Sequence, residues 1–463
     1  MTRVVRLEYP SDTAALFERV RDLDWPVLLE SSREYLPWAR FDVLSADPTV
    51  KVVSEGQQTR IVTRDATRIS NEDPLKVVRA EMGECAAAVD ELPFTGGALG
   101  YVAYDYGRRL EQVGGHAVAD IEIPDIAMGI YDWAVVVDHL EAACWLVSHC
   151  RDRHTVENWN DLVERFTGPS PAACPVQPFK AIQPVVSNLP EPRYRDAFER
   201  ALAYIAAGDC YQVNLTQRFS ALSEGESWDA YRRLRRLSPA PYAAYLEYPF
   251  AQIASSSPEQ FIRVRDGRAQ TKPIKGTRAR AEDPLSDTER VYELCSSEKD
   301  RAENVMIVDL LRNDFGRCCA AGSVRASRLF DVESFANVHH LVSTVEGDLA
   351  DGCDAIDLLE ACFPGGSITG APKIRSMQII DELEPHRRSI YCGAIGYIGY
   401  DGSMELNIAI RTLLMTAGRV YAWAGGGIVA DSQLQAEYQE SLDKATAMLR
   451  VLESASEAEY AYR

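Results

Sequence analysis

A chain of mixed helices and strands, split into two regions by a proline-rich stretch, is the fold this sequence predicts, and three observations predict it. Short β-like runs with Gly-Gly and Asp-Pro breaks fill the first part, at residues 41–46, 97–104, 126–137 and 143–148. Between Gly168 and Pro192 stand Pro169, Pro171, Pro175, Pro178, Pro184, Pro190 and Pro192. Proline removes donors and fixes the backbone, so this stretch reads as an extended linker. Beyond it, helical and strand patterns alternate. The expected division is a β-rich region over residues 1–185 and a second region over 186–463.

Each element follows from local pattern. In residues 191–208, Tyr194, Phe198, Ala201 and Ile205 recur at helical spacing, Pro192 suits the first turn and Gly208 the stop. A strand follows, in which Tyr211, Val213 and Leu215 alternate with Gln212, Asn214 and Thr216. Plain solvent exposure would account for that amide-bearing face. Residues 259–275 read as a hairpin turning at Asp266-Gly267. A two-residue loop sets Glu259 opposite Ile274, and a three-residue loop with a bulge sets it opposite Lys275. Either register brings a carboxylate and an amine to one pocket, the minimum for covalent and acid–base work. A cross-strand salt bridge is the plain alternative.

Composition narrows the function. Of 463 residues, 46% are apolar and 25% charged, the balance of a chain with a sizeable core, which excludes disordered, collagen-like and rod-like chains. A net charge of −20 repels phosphate backbones, so nucleic acid is not an expected partner. It repels small anions too, and an acidic substrate must be drawn in by a local basic pocket or a metal. The eleven cysteines include no C-x-x-C pair, which points to reduced thiols in the cytoplasm. No signal-peptide pattern opens the chain and no apolar run approaches the ~18 residues that span a membrane.

Three further segments carry chemistry. Glu303 precedes Met306, Ile307 and Leu310 by three, four and seven residues, which sets a carboxylate on an apolar helical stripe. Burying it unpaired costs several kcal/mol, roughly, so a hard metal or a partner such as Arg312 or Arg317 is required. Glu440 and Lys444 stand four apart in the helical pattern of residues 434–452, ordinarily a surface pair. The preceding Ala424-Gly425-Gly426-Gly427-Ile428 would let backbone N–H groups approach a ligand. A second glycine-rich segment, Phe363-Pro364-Gly365-Gly366-Ser367-Ile368-Thr369-Gly370-Ala371-Pro372-Lys373, leads into a helix with Pro372 in its first turn. It lacks the Lys-Ser/Thr of a P-loop, and two such cradles without a nucleotide fingerprint suggest a small carboxylate ligand.

Taken together, these segments resemble the chorismate-utilising enzymes, and among them the aminodeoxychorismate synthase component I branch, relatives of anthranilate synthase component I. The resemblance rests on Gly208-Asp209-Cys210-Tyr211-Gln212-Val213-Asn214-Leu215, Ser257-Pro258-Glu259-Gln260-Phe261 and Pro273-Ile274-Lys275-Gly276-Thr277. It extends through Asp300-Arg301-Ala302-Glu303-Asn304, Asp309-Leu310-Leu311-Arg312-Asn313-Asp314, both glycine-rich segments and Glu437-Tyr438-Gln439-Glu440. It covers residues 190–455 densely, and Phe94-Thr95-Gly96-Gly97-Ala98-Leu99-Gly100-Tyr101 adds to it less exclusively.

The resemblance implies an α+β fold of large antiparallel sheets packed together with helices outside. It implies Mg²⁺ on Glu303 and Glu440, chorismate carboxylates held by Tyr391, Arg411, Lys444 and the Gly427 backbone, and Thr369 and His340 near the ring. Gln212, Gly276 and Thr277 complete the implied substrate site. Lys275 stands where anthranilate synthases typically carry alanine, and Gln212 where water-adding relatives typically carry a lysine base. The implied reaction is therefore amination of chorismate at C4, with Lys275 as nucleophile and Glu259 as general acid. Ammonia would come from a separate glutamine amidotransferase subunit, since no Gly-x-Cys-x-Gly turn occurs in this chain. Leu28-Leu29-Glu30-Ser31-Ser32 with Ser238-Pro239-Ala240-Pro241-Tyr242 resembles a tryptophan pocket, with Ser31, Pro241 and Tyr242 as its candidates; ordinary strand and turn structure is the alternative. The rival readings are anthranilate synthesis and a non-catalytic tryptophan-binding subunit.

Overall fold

The computed structural model describes residues 2–32, 39–169, 176–335 and 338–453; Pro171, Cys174 and Pro175 of the proline-rich stretch lie outside them. Two large antiparallel sheets, of thirteen and twelve strands among the described residues, make up the molecule. Strand alternation assigns the side chains to faces. Val27 and Val43 join the cluster that also takes Ala98, Ile130, Ile262 and Leu406 from the other sheet, so the largest core lies between the sheets. Their neighbours Leu28 and Leu44 join a second cluster with Trp228, Tyr231, Ala445 and Met448, on the opposite face. The helices Ser227–Leu237 and Leu434–Leu452 cover that face. A third cluster packs the helices Glu191–Ala206 and Lys373–Leu383 on Val213, Leu215 and Ile428. This is the expected α+β arrangement.

Both sheets take strands from either side of the proline-rich stretch. Val27–Glu30 pairs with Tyr242–Glu247, and Gly97–Val102 pairs with Ala394–Gly399. Regions 1–185 and 186–463 thus share both sheets. Within the first region, residues 126–137 are not one strand but two, Ile126–Tyr131 and Trp133–Asp138, which belong to different sheets. Asp132 makes the break: its carboxylate accepts from the backbone N–H groups of Arg151 and Asp152 and from the Ser148 hydroxyl.

The helix Glu191–Ala206 has Pro192 in its first turn and ends before Gly208, whose φ of +81° is the left-handed stop. The strand Gln212–Glu224 begins four residues later. Its amide-bearing face is not solvated: Gln212, Asn214 and Thr216 are buried, while Tyr211, read as an apolar-face residue, is 73% exposed. No helix of the described residues is long and apolar enough to cross a membrane.

Candidate active site

The hairpin positions the acid and, indirectly, the amine. Asp266 and Gly267, at φ +51° and +73°, make a two-residue turn that pairs Arg265 with Arg268. A bulge between Gln260 and Arg263 then sets Gln260 opposite Lys272, so neither expected register reaches Glu259. Lys275 belongs instead to the next strand, Ile274–Ala279, which pairs with Val338–Asp348. The two groups meet over Ser367. The Ser367 hydroxyl hydrogen-bonds to Glu259, and its carbonyl accepts from Lys275 Nζ at 3.0 Å. Ser367 is what the glycine-rich segment delivers to the site. Pro372 caps the helix Lys373–Leu383 rather than sitting within its first turn.

Their protonation is shifted in opposite senses. Burial raises the Glu259 carboxyl above the ordinary range, against the pull of Ser367, Lys275 and Lys444. Burial lowers the Lys275 ammonium, with Glu303 and Glu259 opposing and Lys444 adding to the fall. Such divergent shifts keep a carboxyl able to donate a proton and an amine able to lose one.

Around this pair stand the other expected residues. His340, opposite Thr277 in the ladder, has its Nδ1 2.8 Å from the Thr277 hydroxyl and bonds the Gly276 backbone. Burial, with Arg411 and Lys444 nearby, lowers His340 to about 3, so the imidazole is neutral. Arg411 is depressed by burial; Tyr391 acts on its charge, and no carboxylate among the described residues pairs with it. Tyr391 stacks on Trp423 at 5.9 Å between ring centres and an interplanar angle of 5°. Gly427 lies under Gln212: a Cβ there would come within 1.9 Å of the Gln212 Nε2. Both amide atoms of Gln212 are buried without a partner, as is Asn214 Oδ1. The Thr369 hydroxyl is engaged with the carbonyls of Gly365 and Gly366.

The acids gather from two helices. Glu303 rides on Glu298–Phe315, at the border of its buried face rather than in the middle. Neither Arg312 nor Arg317 is its partner: Arg312 pairs with Asp309, and Arg317 donates to the Ala361 carbonyl. Burial raises Glu303 above the ordinary carboxyl range, with Lys275 and Lys299 opposing. Glu440 pairs with Lys444 at 2.6 Å, and Lys444 also donates to the Gly425 carbonyl at 3.1 Å. The helix Leu434–Leu452 supplies one acid the sequence reading left unassigned, Glu437. It accepts from the Ser432 hydroxyl at 2.7 Å, with Lys299 at 3.8 Å. A Cβ on Gly426 would lie 3.3 Å from Glu437 Oε2 and 3.4 Å from Glu440 Oε1, so glycine there lets both carboxylates close on the sheet. The i,i+3 spacing of 437 and 440 was the available signal. Among the described residues no three such side chains already form a metal cage. Carboxylate oxygens with room for water are nonetheless the donors Mg²⁺ takes, usually one or two from protein and the rest from solvent and substrate.

The tryptophan-pocket candidates lie elsewhere. Pro241 and Tyr242 line a cleft with Leu29, Glu30, Phe41 and Val43. Ser31 donates its N–H and hydroxyl to Asp42, at 2.7 and 2.9 Å.

A hollow that raises a carboxyl and lowers an ammonium, beside a guanidinium that no carboxylate among the described residues pairs, is suited to acid–base chemistry on an anionic substrate. The family model described as chorismate binding enzyme matches residues 33–450, and the chain belongs to that family. It is 45% identical to aminodeoxychorismate synthase component 1 of Salmonella typhimurium over 456 residues, 97% of this chain and 98% of the relative. It is 40% identical to anthranilate synthase component 1 of Streptomyces coelicolor, over 83% of this chain and 78% of that one. Among solved structures, anthranilate synthase component I from Streptococcus pneumoniae superposes with a TM-score of 0.79 at 34% identity, covering 89% of this chain and 92% of the other.

Proposed function

We propose that this enzyme aminates chorismate at C4 to give 4-amino-4-deoxychorismate, the precursor of 4-aminobenzoate, with ammonia supplied by a glutamine amidotransferase subunit. The observation that carries the reading is the meeting of Glu259 and Lys275 on the two sides of Ser367 with opposite shifts in protonation. The higher identity to the relative named for amination, over nearly the whole of both chains, supports the same choice.

In the mechanism the Lys275 amine bonds to C2 of chorismate as the ring double bonds shift, and the C4 hydroxyl departs as water with the proton of Glu259. Ammonia then bonds to C4, the double bonds return, and the C2–N bond to Lys275 breaks. Arg411, Tyr391, Lys444 and the Gly427 backbone hold the two substrate carboxylates, with His340 and Thr369 near the ring. Gln212, Gly276 and Thr277 shape its surroundings; an amide at 212 cannot deprotonate water, which disfavours hydroxylation. Opposite charges ~4 Å apart gain roughly 4 kcal/mol at an effective dielectric of ~20, enough for the pocket to offset the acidic surface locally. Glu303 and Glu440, with Glu437 beside them, would hold Mg²⁺, whose charge would neutralise a substrate carboxylate.

The cleft at Pro241 and Tyr242, next to Ser31, is proposed to take tryptophan; a calorimetric titration without heat removes that assignment. All ten cysteines among the described residues are free, which supports a reducing, cytoplasmic setting. The deciding experiment incubates the chain with chorismate, Mg²⁺ and ammonium, then adds a purified 4-amino-4-deoxychorismate lyase. New 4-aminobenzoate is expected; anthranilate formed without the lyase would transfer the chain to the other branch.

A further inference from the structure

A buried ion pair stands beside the glycine-rich segment, and the mechanism does not use it. Arg388 is 2% exposed, and its guanidinium donates twice to Glu384, from Nε at 2.9 Å and from Nη2 at 2.6 Å. Glu384 Oε1 also accepts from the Thr216 N–H and hydroxyl, at 3.0 and 2.8 Å. The other titratable groups facing Arg388 are Tyr104 and Tyr391, with ring centres 4.9 and 6.0 Å from the guanidinium carbon, and the Cys392 thiol. Such a pair is a weak device for stability alone, since apolar side chains of similar volume often serve as well. Its remaining bonds point to a second task. Nη1 donates to the Ile368 carbonyl at 2.9 Å and Nη2 to the Asn214 carbonyl at 3.0 Å. One planar fork thus fixes the glycine-rich segment against the strand Gln212–Glu224.

Asn214 completes the clamp. Its N–H donates to the Thr369 carbonyl at 2.9 Å, and its side-chain Nδ2 to the Ser367 carbonyl at 3.1 Å. Ser367 is therefore gripped twice: its own carbonyl by Asn214, and the next one, that of Ile368, by Arg388. The same serine accepts from Lys275 Nζ and bonds Glu259 through its hydroxyl. The hydrogen bonds of Arg388 go to Glu384, Ile368 and Asn214, so it acts on the reacting pair through the place of Ser367.

We propose that Arg388 and Asn214 are positioning residues for the amination chemistry, holding Ser367 where it hydrogen-bonds both the acid and the amine. This rests on the roles given above to Glu259 and Lys275. The Ser367 hydroxyl draws the Glu259 carboxyl back towards the ordinary range, and the Ser367 carbonyl favours the charged form of Lys275. Displacing Ser367 raises the first group and lowers the second. It also spoils the alignment of the two, on which the rate depends steeply.

The test compares the full-length wild type with two variants. Arg388→Lys keeps a charge beside Glu384 but lacks the fork, and Asn214→Ala leaves the ion pair intact. With ammonium saturating, kcat is expected to fall roughly ten- to a hundredfold in each, while KM for chorismate stays within about threefold. The bell in kcat/KM is expected to narrow from both sides. A structural role alone would lower the melting temperature without moving either limb, and limbs that coincide with those of the wild type overturn the proposal. If Arg388→Lys does not fold, Asn214→Ala decides, because its backbone carbonyl still meets the arginine. Competitive acetylation of Lys275 by acetic anhydride, read by mass spectrometry, follows the amine without turnover. Its labelling midpoint is expected at lower pH in both variants than in the wild type. Should the wild type fail to aminate chorismate at all, the functional reading falls and the acetylation midpoint decides alone. A shift to lower pH upholds the clamp, and an unchanged midpoint overturns it.

Discussion

Glu259 is buried at 6% exposure with its proton affinity raised, so the folded state holds that proton more tightly than the unfolded chain does. Stability from this group is therefore greatest below the unfolded pKa and falls as pH rises through the folded one. Glu259→Gln is expected to cut kcat by 10²-fold or more, roughly the worth of a positioned general acid. The same variant should melt at a higher temperature than the wild type at neutral pH, and without that advantage in acid. Thermal unfolding at two pH values with steady-state kinetics checks both halves. Because Glu259 shifts up and Lys275 down, the bell in kcat/KM should be narrower than the ~4.3 to ~10.4 of the free side chains. In the Glu259→Gln protein one limb should vanish, leaving residual activity that rises with pH. Lys275→Ala should abolish amination; full activity with ammonium would remove the covalent step. The chemical pair was readable in the sequence, since each member stands in a short distinctive run. Ser367, which joins them, was not, because its partners lie about a hundred residues away.

At the scale of elements, the strand Arg419–Ile428 separates two uses of glycine. A Cβ on Gly425 would stand 2.2 Å from the Leu215 carbonyl, which cannot yield without breaking the ladder. Gly425→Ala should destabilise the fold by about 1–3 kcal/mol, the usual cost of overpacking, as denaturant unfolding will show. On Gly427 the added methyl meets the end of the flexible Gln212 side chain instead. Gly427→Ala should leave the melting temperature nearly unchanged and raise KM for chorismate about tenfold. Local pattern revealed a helix at about Leu434–Leu452 and the turn at Asp266-Gly267. It did not reveal the bulge after Gln260 or the break at Asp132, where hydrogen bonds to distant backbone overrule the local pattern.

On the scale of the whole molecule, the shared sheets make each region depend on the other. Residues 186–463 expressed alone would bare the edges of Tyr242–Glu247 and Ala394–Gly399 that Val27–Glu30 and Gly97–Val102 now cover. Such a fragment should be insoluble, whereas the full chain unfolds in one cooperative transition, a contrast that expression trials and calorimetry can read. The proline-rich stretch made a boundary legible but not this interleaving, because strand pairing across more than two hundred residues leaves no local trace in composition.

Lys444 divides its ammonium between Glu440 and the Gly425 carbonyl. A single ammonium cannot fully satisfy both that glutamate and an incoming substrate carboxylate. On the proposed assignment, a turn of Lys444 to a substrate carboxylate would release Glu440 for a divalent cation, and a cation held by Glu440 would free the lysine for substrate. The two ligands should therefore promote one another's binding by equal factors, as thermodynamic reciprocity demands. Replacing Lys444 with methionine should uncouple them, leaving an enzyme whose affinity for either ligand ignores the other.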